Sequence, residues 1–280
     1  MITDDFHEPA AALAPIPVAW RPTLLVRLSI LLHLAAVIAI VIEPGIWEWP
    51  VAAVVVNHLV LTAVGMWPKS RLLGPNWTEL PAEAATRNEI AITIDDGPDP
   101  EVTPKVLDIL DRYQVHATFF CVGTKVQAHP ELCREMVRRG HEVENHSASH
   151  HWNFALLGLT AMRREVQEGQ DMLAAATGQT PVFFRAPAGI RNPFLEAVLC
   201  THGLQLVSWT RRGFDTRERD SGLALKRLTR RLAPGDILLL HDGSVARTAA
   251  GTPVILEVLP KLLDKVRDAG LRPVTLRSVL

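Results

Sequence analysis

Apolar residues follow two regimes along the chain: nearly continuous over residues 24–67, then in short runs separated by amphipathic stretches beyond residue 88. The first continuous run, residues 24–42, carries one arginine near its start and has the length, about 20 residues, of a bilayer-crossing helix. The second, residues 49–67, has no charged residue and is framed by Trp49 and Trp67, as expected at membrane interfaces. A short acidic connector from Glu43 to Glu48 joins them, so the pattern predicts a helical hairpin. A signal peptide is the competing reading; no small-residue cleavage site follows the first run and a second apolar run does, which favours a retained anchor. Arg21 and Arg27 flank the first span, Lys69 and Arg71 follow the second, and the connector has no basic residue. The positive-inside rule then expects a two-pass, bacterial-type inner-membrane protein with both termini cytoplasmic. Because long domains can cross regardless of flanking charge, the periplasmic or extracellular face is the alternative. His33, Asn57 and His58 inside the spans are read as helix-to-helix contacts.

Beyond residue 88, strands are expected at 90–94, 117–122, 141–145, 182–185, 204–209, 236–240 and 272–276. Helix punctuation lies between them: Thr103 before Pro104 and Asn192 before Pro193 at starts, and Gly140, Gly178, Gly203 and Gly270 at ends. Strand–helix alternation predicts an α/β fold with a mainly parallel sheet. About seven such units suit an incomplete (β/α) barrel, by analogy with the eight-unit closed form. The expected organisation is an N-terminal tail at 1–20, a two-helix membrane anchor at 21–68, a linker at 69–88 and one α/β domain at 89–280.

Composition refines this picture in three places. A net charge of −1 over 280 residues excludes the basic surplus of a nucleic-acid-binding protein. The mean hydropathy of +0.14 comes largely from the first quarter of the chain. Cys121, Cys133 and Cys200 are odd in number and lack metal or redox spacing, so no disulfide framework is expected; Cys121 reads as a small core residue.

The candidate chemistry lies at the ends of the expected strands, where a parallel barrel gathers its site. The run 90–94 leads into Asp95-Asp96-Gly97. Successive side chains on a strand face opposite sides, so one aspartate would bind a metal while the other stays free as a base; equally, Asp-Gly after a strand is a hairpin signal. After the third strand, His146 and His150 stand four apart, a spacing that on a helical turn points both imidazoles one way. With Asp96 they would form three N/O ligands with an open position, the pattern of a hydrolytic divalent-metal site, whereas two solvated histidines are the plain alternative. The fourth strand leads into Phe184-Arg185-Ala186-Pro187-Ala188-Gly189, and the fifth into Trp209-Thr210-Arg211-Arg212-Gly213-Phe214-Asp215-Thr216. The sixth leads into Leu239-Leu240-His241-Asp242-Gly243. Each alone fits an ordinary loop; their coincidence in this order does not.

Together these residues resemble the polysaccharide deacetylase (NodB-homology) family, carbohydrate esterase family four, over residues 89–280. Its motif T-[FY]-D-D-G is met by Thr93 to Gly97, with Ile94 at the aromatic position; H-[ST]-x-x-H by His146 to His150; R-x-P-x-G by Arg185 to Gly189; and L-x-H by Leu239 and His241. D-x-x-D-W is met in part: Asp215 takes the second acid position, while Arg212 and Thr216 replace the first acid and the tryptophan. The resemblance implies a distorted (β/α) barrel, with Asp95 as catalytic base and Asp96, His146 and His150 as metal ligands. It makes Arg185 the residue that orients Asp95, Asp215 the partner of His241, and His241 the general acid. Substrate would meet the Ala188 backbone amide, the Leu239 side chain, Trp209 and Arg212.

The implied activity is metal-dependent removal of an N-acyl group, N-acetyl first, from an amino sugar. The cofactor expected is a divalent metal, Zn2+ ahead of Co2+, Ni2+ or Fe2+. Arg212, with Arg211 beside it, reverses a charge near the site and makes a phosphate an expected neighbour, unless these arginines pair with surface acids. Residues 223–232 alternate leucines with Lys226, Arg227, Arg230 and Arg231 at helical spacing. This reads as a helix resting on anionic lipid or as a core-packed helix with a solvated face. The expected partners are therefore membrane lipid and an amino-sugar glycan or lipid-linked sugar, without nucleic acid. Two other readings stand beside this one: a deformylase or amidase acting on a non-polysaccharide amide, and a membrane-anchored glycan-binding protein without catalysis.

Overall fold

The computed structural model describes residues 16–280; residues 1–15 of the expected tail lie outside the described residues. The strands are β1 (Glu89–Asp95), β2 (Thr118–Cys121), β3 (Glu142–Asn145), β4 (Phe183–Phe184), β5 (Gln205–Leu206), β6 (Arg211–Arg212), β7 (Ile237–His241) and β8 (Arg272–Val274). The helices are α1 (Leu24–Ile42), α2 (Glu48–Gly65), α3 (Ala82–Thr86), α4 (Thr103–Tyr113), α5 (Gly123–Ala128), α6 (Pro130–Arg138), α7 (Leu159–Thr177), α8 (Leu195–His202), α9 (Ser221–Thr229) and α10 (Val254–Asp268).

All strand pairings are parallel, in the order β5-β4-β3-β2-β1-β7-β6, with β8 also on β1. Strand β1 is the hub: Asp95 lies level with Phe120 on one side and with His241 on the other. Parallel pairing sends every strand end to the same rim, which is how residues far apart in sequence come to share one site. Along β1, Ile90, Ile92 and Ile94 face the helix layer and pack with α4 and α10, while Ala91 packs inside the barrel. Helix α10 alone buries Val254, Ile255, Val258, Leu259, Leu262, Leu263 and Val266, each worth about 1.5–3 kcal/mol.

Seven expected strands are present; β6 was not anticipated, because two arginines carry no apolar signal. It is held by pairing with Leu238 and Leu239. The segment expected as a linker closes the wall between β5 and β6. Trp77 donates its N–H to Leu206 O, accepts from Ser208 N, and the neighbouring Thr78 O accepts from Thr210 Oγ1. Leu80 and Ala84 are buried with Phe120, Val207 and Leu239, so residues of this segment form part of the barrel core. Strand β4 is only two residues long, and the buried Glu144 pins it by accepting the Val182 and Phe183 N–H groups.

Two local expectations change. Thr103 does not cap α4: its hydroxyl donates to Asp242, and Asp99 Oδ1 instead accepts the N–H groups of Glu101 and Val102. Helix α9 buries Ala224 and Leu228 against the core and leaves Lys226 and Arg227 exposed, which is the core-packed form of the 223–232 pattern.

Helices α1 and α2 are long and apolar enough to cross a membrane, and are joined by a tight turn at Pro44–Ile46. Their polar residues meet one another: His33 Nε2 lies 3.3 Å from His58 Nε2, and Asn57 donates to Ser29 Oγ at 2.8 Å.

His141, just before β3, is buried and accepts the Ala117 N–H at Nδ1, so its single proton sits on Nε2. Burial, reinforced by His116, pushes its pKa down to about 4. The imidazolium is therefore resisted in the fold but not in the unfolded chain. Stability from this residue is complete above about pH 6.5 and is lost as pH falls towards 4, by up to about 3 kcal/mol. Urea midpoints measured across this window are expected to fall less steeply in His141→Asn than in the wild type; parallel slopes would count against the assignment.

Candidate active site

A pocket of about 520 Å³ opens at the rim formed by the ends of β1, β3, β4 and β7. Its floor is set by Arg185, which follows β4 and is 1% exposed. The guanidinium donates to Asp95 Oδ1 at 2.6 Å, Thr93 Oγ1 at 2.8 Å, Ser208 O at 2.8 Å and Val207 O at 3.2 Å, and lies 4.1 Å over the Phe120 ring. A cation this deep is tolerated because a carboxylate and several oxygen acceptors surround it. Asp95 is thereby held through Oδ1, while its Oδ2 lies 3.9 Å from His146 Nε2.

Asp96 does not take the opposite face, as strand alternation predicted. It lies one residue past β1 with φ of 71°, and this left-handed turn returns its carboxylate to the mouth that Asp95 faces. The turn is not a hairpin, since β1 has only parallel neighbours. Gly97 is required there: a Cβ would lie 2.4 Å from Asp242 Oδ1.

His146 and His150 do not sit on a helical turn either. Left-handed Ser147 (φ 66°) and His150 (φ 51°) fold the segment instead, braced by Asn145 Oδ1 accepting from Ser147 N and Ser147 Oγ accepting from His150 N. Both Nε2 atoms lie 3.2 Å from Asp96 Oδ1. His146 Nδ1 is 2.7 Å from Arg185 O, and a carbonyl can only accept, so the Nδ1 atom carries the proton. Nε2 is then the ring atom that faces the carboxylate, a proton donor to it in the metal-free site and a ligand lone pair when a metal is bound. A carbonyl behind the ring is the usual support of a ligating histidine. The Asp96, His146 and His150 donor set, its ligand atoms all within 4.8 Å, therefore fits a divalent metal. Burial works against the Asp96 carboxylate, but His146, His241 and His150 hold it well below the usual range.

His241 ends β7 opposite Asp95. Its Nδ1 donates to Asp215 Oδ1 at 2.8 Å and its backbone N–H to Oδ2 of the same carboxylate, leaving Nε2 for the pocket. Burial pulls the imidazole pKa down, yet the hydrogen bond and charge of Asp215 outweigh it and leave the value raised.

Asp95, Asp96, His146, His150, Ala188, Trp209, Arg212, Leu239 and His241 line the pocket, and Arg185 and Asp215 lie buried behind it. The two arginines part company. Arg211 pairs with Asp236 at 2.6 Å and with carbonyls of Arg230 and Arg231. Arg212 faces the pocket between Trp209 and Phe214, its guanidinium 5.2 and 4.5 Å from their rings, and its Nε has no hydrogen-bond partner among the described residues.

Three supporting residues were not anticipated. The buried Asp242 accepts from Thr103 Oγ1 at 2.5 Å, its carboxyl pushed up to about 7 by burial, and Lys125 donates to Asp96 O at 2.7 Å. The available signal was His241-Asp242-Gly243, an acid–glycine pair at a strand end like Asp96-Gly97.

Comparison with known proteins agrees with this geometry. The family model for polysaccharide deacetylase matches residues 82–207. A peptidoglycan-N-acetylglucosamine deacetylase of Bacillus cereus is 32% identical over 68% of this chain and 87% of its own length. A chitooligosaccharide deacetylase of Sinorhizobium fredii is 31% identical over 68% of this chain and 91% of its own. Among solved structures, a peptidoglycan N-acetylglucosamine deacetylase superposes with a TM-score of 0.66 at 26% identity, covering 73% of this chain and 92% of that one. A CE4 family pseudoenzyme from Bacillus anthracis gives 0.62 at 26% identity, covering 69% and 65%. On this agreement of sequence, fold and rim residues, the chain belongs to the polysaccharide deacetylase family.

Proposed function

We propose that this protein is a divalent-metal-dependent deacylase that removes the N-acetyl group of an amino sugar carried by a glycan or a lipid-linked sugar at the membrane. The observation that carries the reading is the convergence of Asp95, Asp96, His146, His150 and His241 on one pocket, with Asp95, His146 and His241 each held by a buried partner. A complete set of this kind favours catalysis over the glycan-binding alternative, although pseudoenzymes exist among the structural relatives. The relatives, deacetylases of peptidoglycan and chitooligosaccharide, support an N-acetyl amino sugar over a formyl or non-sugar amide.

Asp96, His146 and His150 would hold the metal, which when bound supplies Lewis-acid polarisation of the amide carbonyl and of its attacking water. Asp95, fixed through Oδ1 by Arg185, takes the proton of that water. The Ala188 amide, on an exposed left-handed turn with φ of 56°, donates to the oxyanion. His241, with Nδ1–H held by Asp215, delivers a proton from Nε2 to the leaving nitrogen as the C–N bond breaks, giving acetate and a free amine. Leu239 and Trp209 wall the acyl end. Arg212, whose Nε has no hydrogen-bond partner among the described residues, supports an anionic group on the substrate, such as a phosphate.

On this reading α1 and α2 are a retained two-pass anchor, with Lys69 and Arg71 marking the cytoplasmic side. Lipid linkage then follows from the nearness of the site to the bilayer.

Elemental analysis is expected to find one divalent metal per chain, lost in Asp96→Asn and His146→Gln. Asp95→Asn should keep the metal and lose acetate release by about 10²–10⁴-fold. A metal-loaded wild-type protein that binds glycans and releases no acetate would favour the binding module. Asp215→Asn should lower kcat by a similar factor while leaving metal content unchanged, since it disturbs only the His241 tautomer. With undecaprenyl-linked and free N-acetyl sugars compared side by side, the lipid-linked form should have the higher kcat/KM; equal values would remove the lipid from the reading.

A further inference from the structure

The cleft between the helical hairpin and the barrel has about 770 Å³ of space, within the roughly 300–1,000 Å³ of ordinary ligand sites. We infer that it seats the hydrocarbon chain of the lipid-linked substrate and so delivers the sugar to the catalytic pocket. This rests on the deacylase reading and on α1 and α2 lying in the membrane.

Four observations carry it. One wall is made by the apolar helices, through Val26, Ile30, Leu34 and Leu61. The facing wall comes from the two loops that also build the active site: Trp152 and Leu156 follow His146 and His150, and Phe194 follows Arg185 and Ala188. These three side chains are 86, 78 and 47% exposed, an apolar patch on the barrel that water does not favour and a hydrocarbon does. Ile190, two residues after Ala188, lines both the cleft and the catalytic pocket, so a chain lying in one leads directly into the other. That continuity singles out the substrate's own chain over bulk lipid.

The cleft is also fixed in place. Arg191 N donates to Gly65 O at 3.1 Å, and α2 approaches so closely that a Cβ on Gly65 would lie 2.1 Å from Arg191 O. At the opposite end Thr23 Oγ1 donates to Leu72 O at 2.7 Å. Next to Ile190 the wall turns polar. Arg191 is 5% exposed; one Nη donates to Ser70 O, and its Nε has no hydrogen-bond partner among the described residues. A guanidinium lining the cleft beside Ile190, the residue shared with the catalytic pocket, matches the order chain, phosphate, sugar of a glycosyl phospholipid.

Two experiments on the full-length protein in lipid nanodiscs test this. In the first, a polyprenyl phosphate bearing a diazirine on its chain is photocrosslinked and the labelled peptides are mapped. Labels are expected around Trp152, Leu156 and Phe194, displaced by unlabelled polyprenyl phosphate and not by excess phosphatidylglycerol. Labels confined to the outward residues Val37, Val41 and Leu59, or equal displacement by phosphatidylglycerol, overturn the assignment. In the second, the combined variant W152A/L156A/F194A, whose exposed positions leave the core untouched, is assayed on both substrates. Its KM for the lipid-linked sugar should rise at least tenfold, with kcat/KM for the free sugar unchanged. An unchanged KM for the lipid-linked sugar overturns the cleft and leaves the deacylase reading standing. Wild-type protein inactive on both sugars overturns the deacylase reading instead, an outcome separate from the crosslinking pattern.

Discussion

A guanidinium buried at the centre of the barrel is the constraint around which the site is organised. Removing a charge from water costs several kcal/mol per ion, so Arg185 can remain there only if its N–H groups are met by oxygens. Those oxygens come from Thr93 and Asp95 on β1 and from the Val207 and Ser208 carbonyls beyond β5. Its own backbone carbonyl fixes the His146 ring. One residue therefore orients the Asp95 carboxylate, fixes the tautomer of His146 and sets the spacing of three strand ends. The positions that satisfy a buried charge are the positions the chemistry requires.

The rim above it is built from backbone that L-residues enter reluctantly. Asp96, Ser147, His150, Ala188 and Phe214 all have positive φ, a conformation costing of order 1 kcal/mol or more at each non-glycine residue. Regular strands deliver side chains to a circle; these turns bend them inwards until three ligand atoms fall within 4.8 Å. The cost is offset by the core below, where α10 and the β1 isoleucines supply rigid packing.

This division explains how much was legible in the sequence. Most of the seven expected strand runs could be read because they are apolar and lie beside a glycine or proline; the polar run at 141–145 is marked only by Gly140 before it, and the candidate site residues stand out because they follow such runs directly. The hairpin's first helix matched the apolar run residue for residue, as a continuous hydrophobic stretch leaves little freedom. The convergence of His146 with His150 was read correctly for the wrong local reason. Helical periodicity was assumed, and left-handed turns stabilised by Asn145 and Ser147 achieve it instead. Thr103 looked like a cap because capping is local, whereas its partner Asp242 is 139 residues away. Strand β6 and the core role of Leu80 and Ala84 were hidden for the same reason: each depends on a distant neighbour and leaves no periodic trace.

The stretch from Ala188 to Arg191 joins the two halves of the molecule. At one end Ala188 lines the pocket; at the other the Arg191 N–H donates to the Gly65 carbonyl and closes the hairpin onto the barrel. A shift of α2 relative to the barrel must therefore act on the stretch that presents the Ala188 backbone to the pocket, since only two residues separate Ala188 from Arg191. Chemistry and anchoring are coupled by backbone geometry rather than by any long-range signal. Asp96, His146 and His150 hang from β1 and β3 and take no support from α2, whereas the stretch after Ala188 is braced from the hairpin side through Arg191.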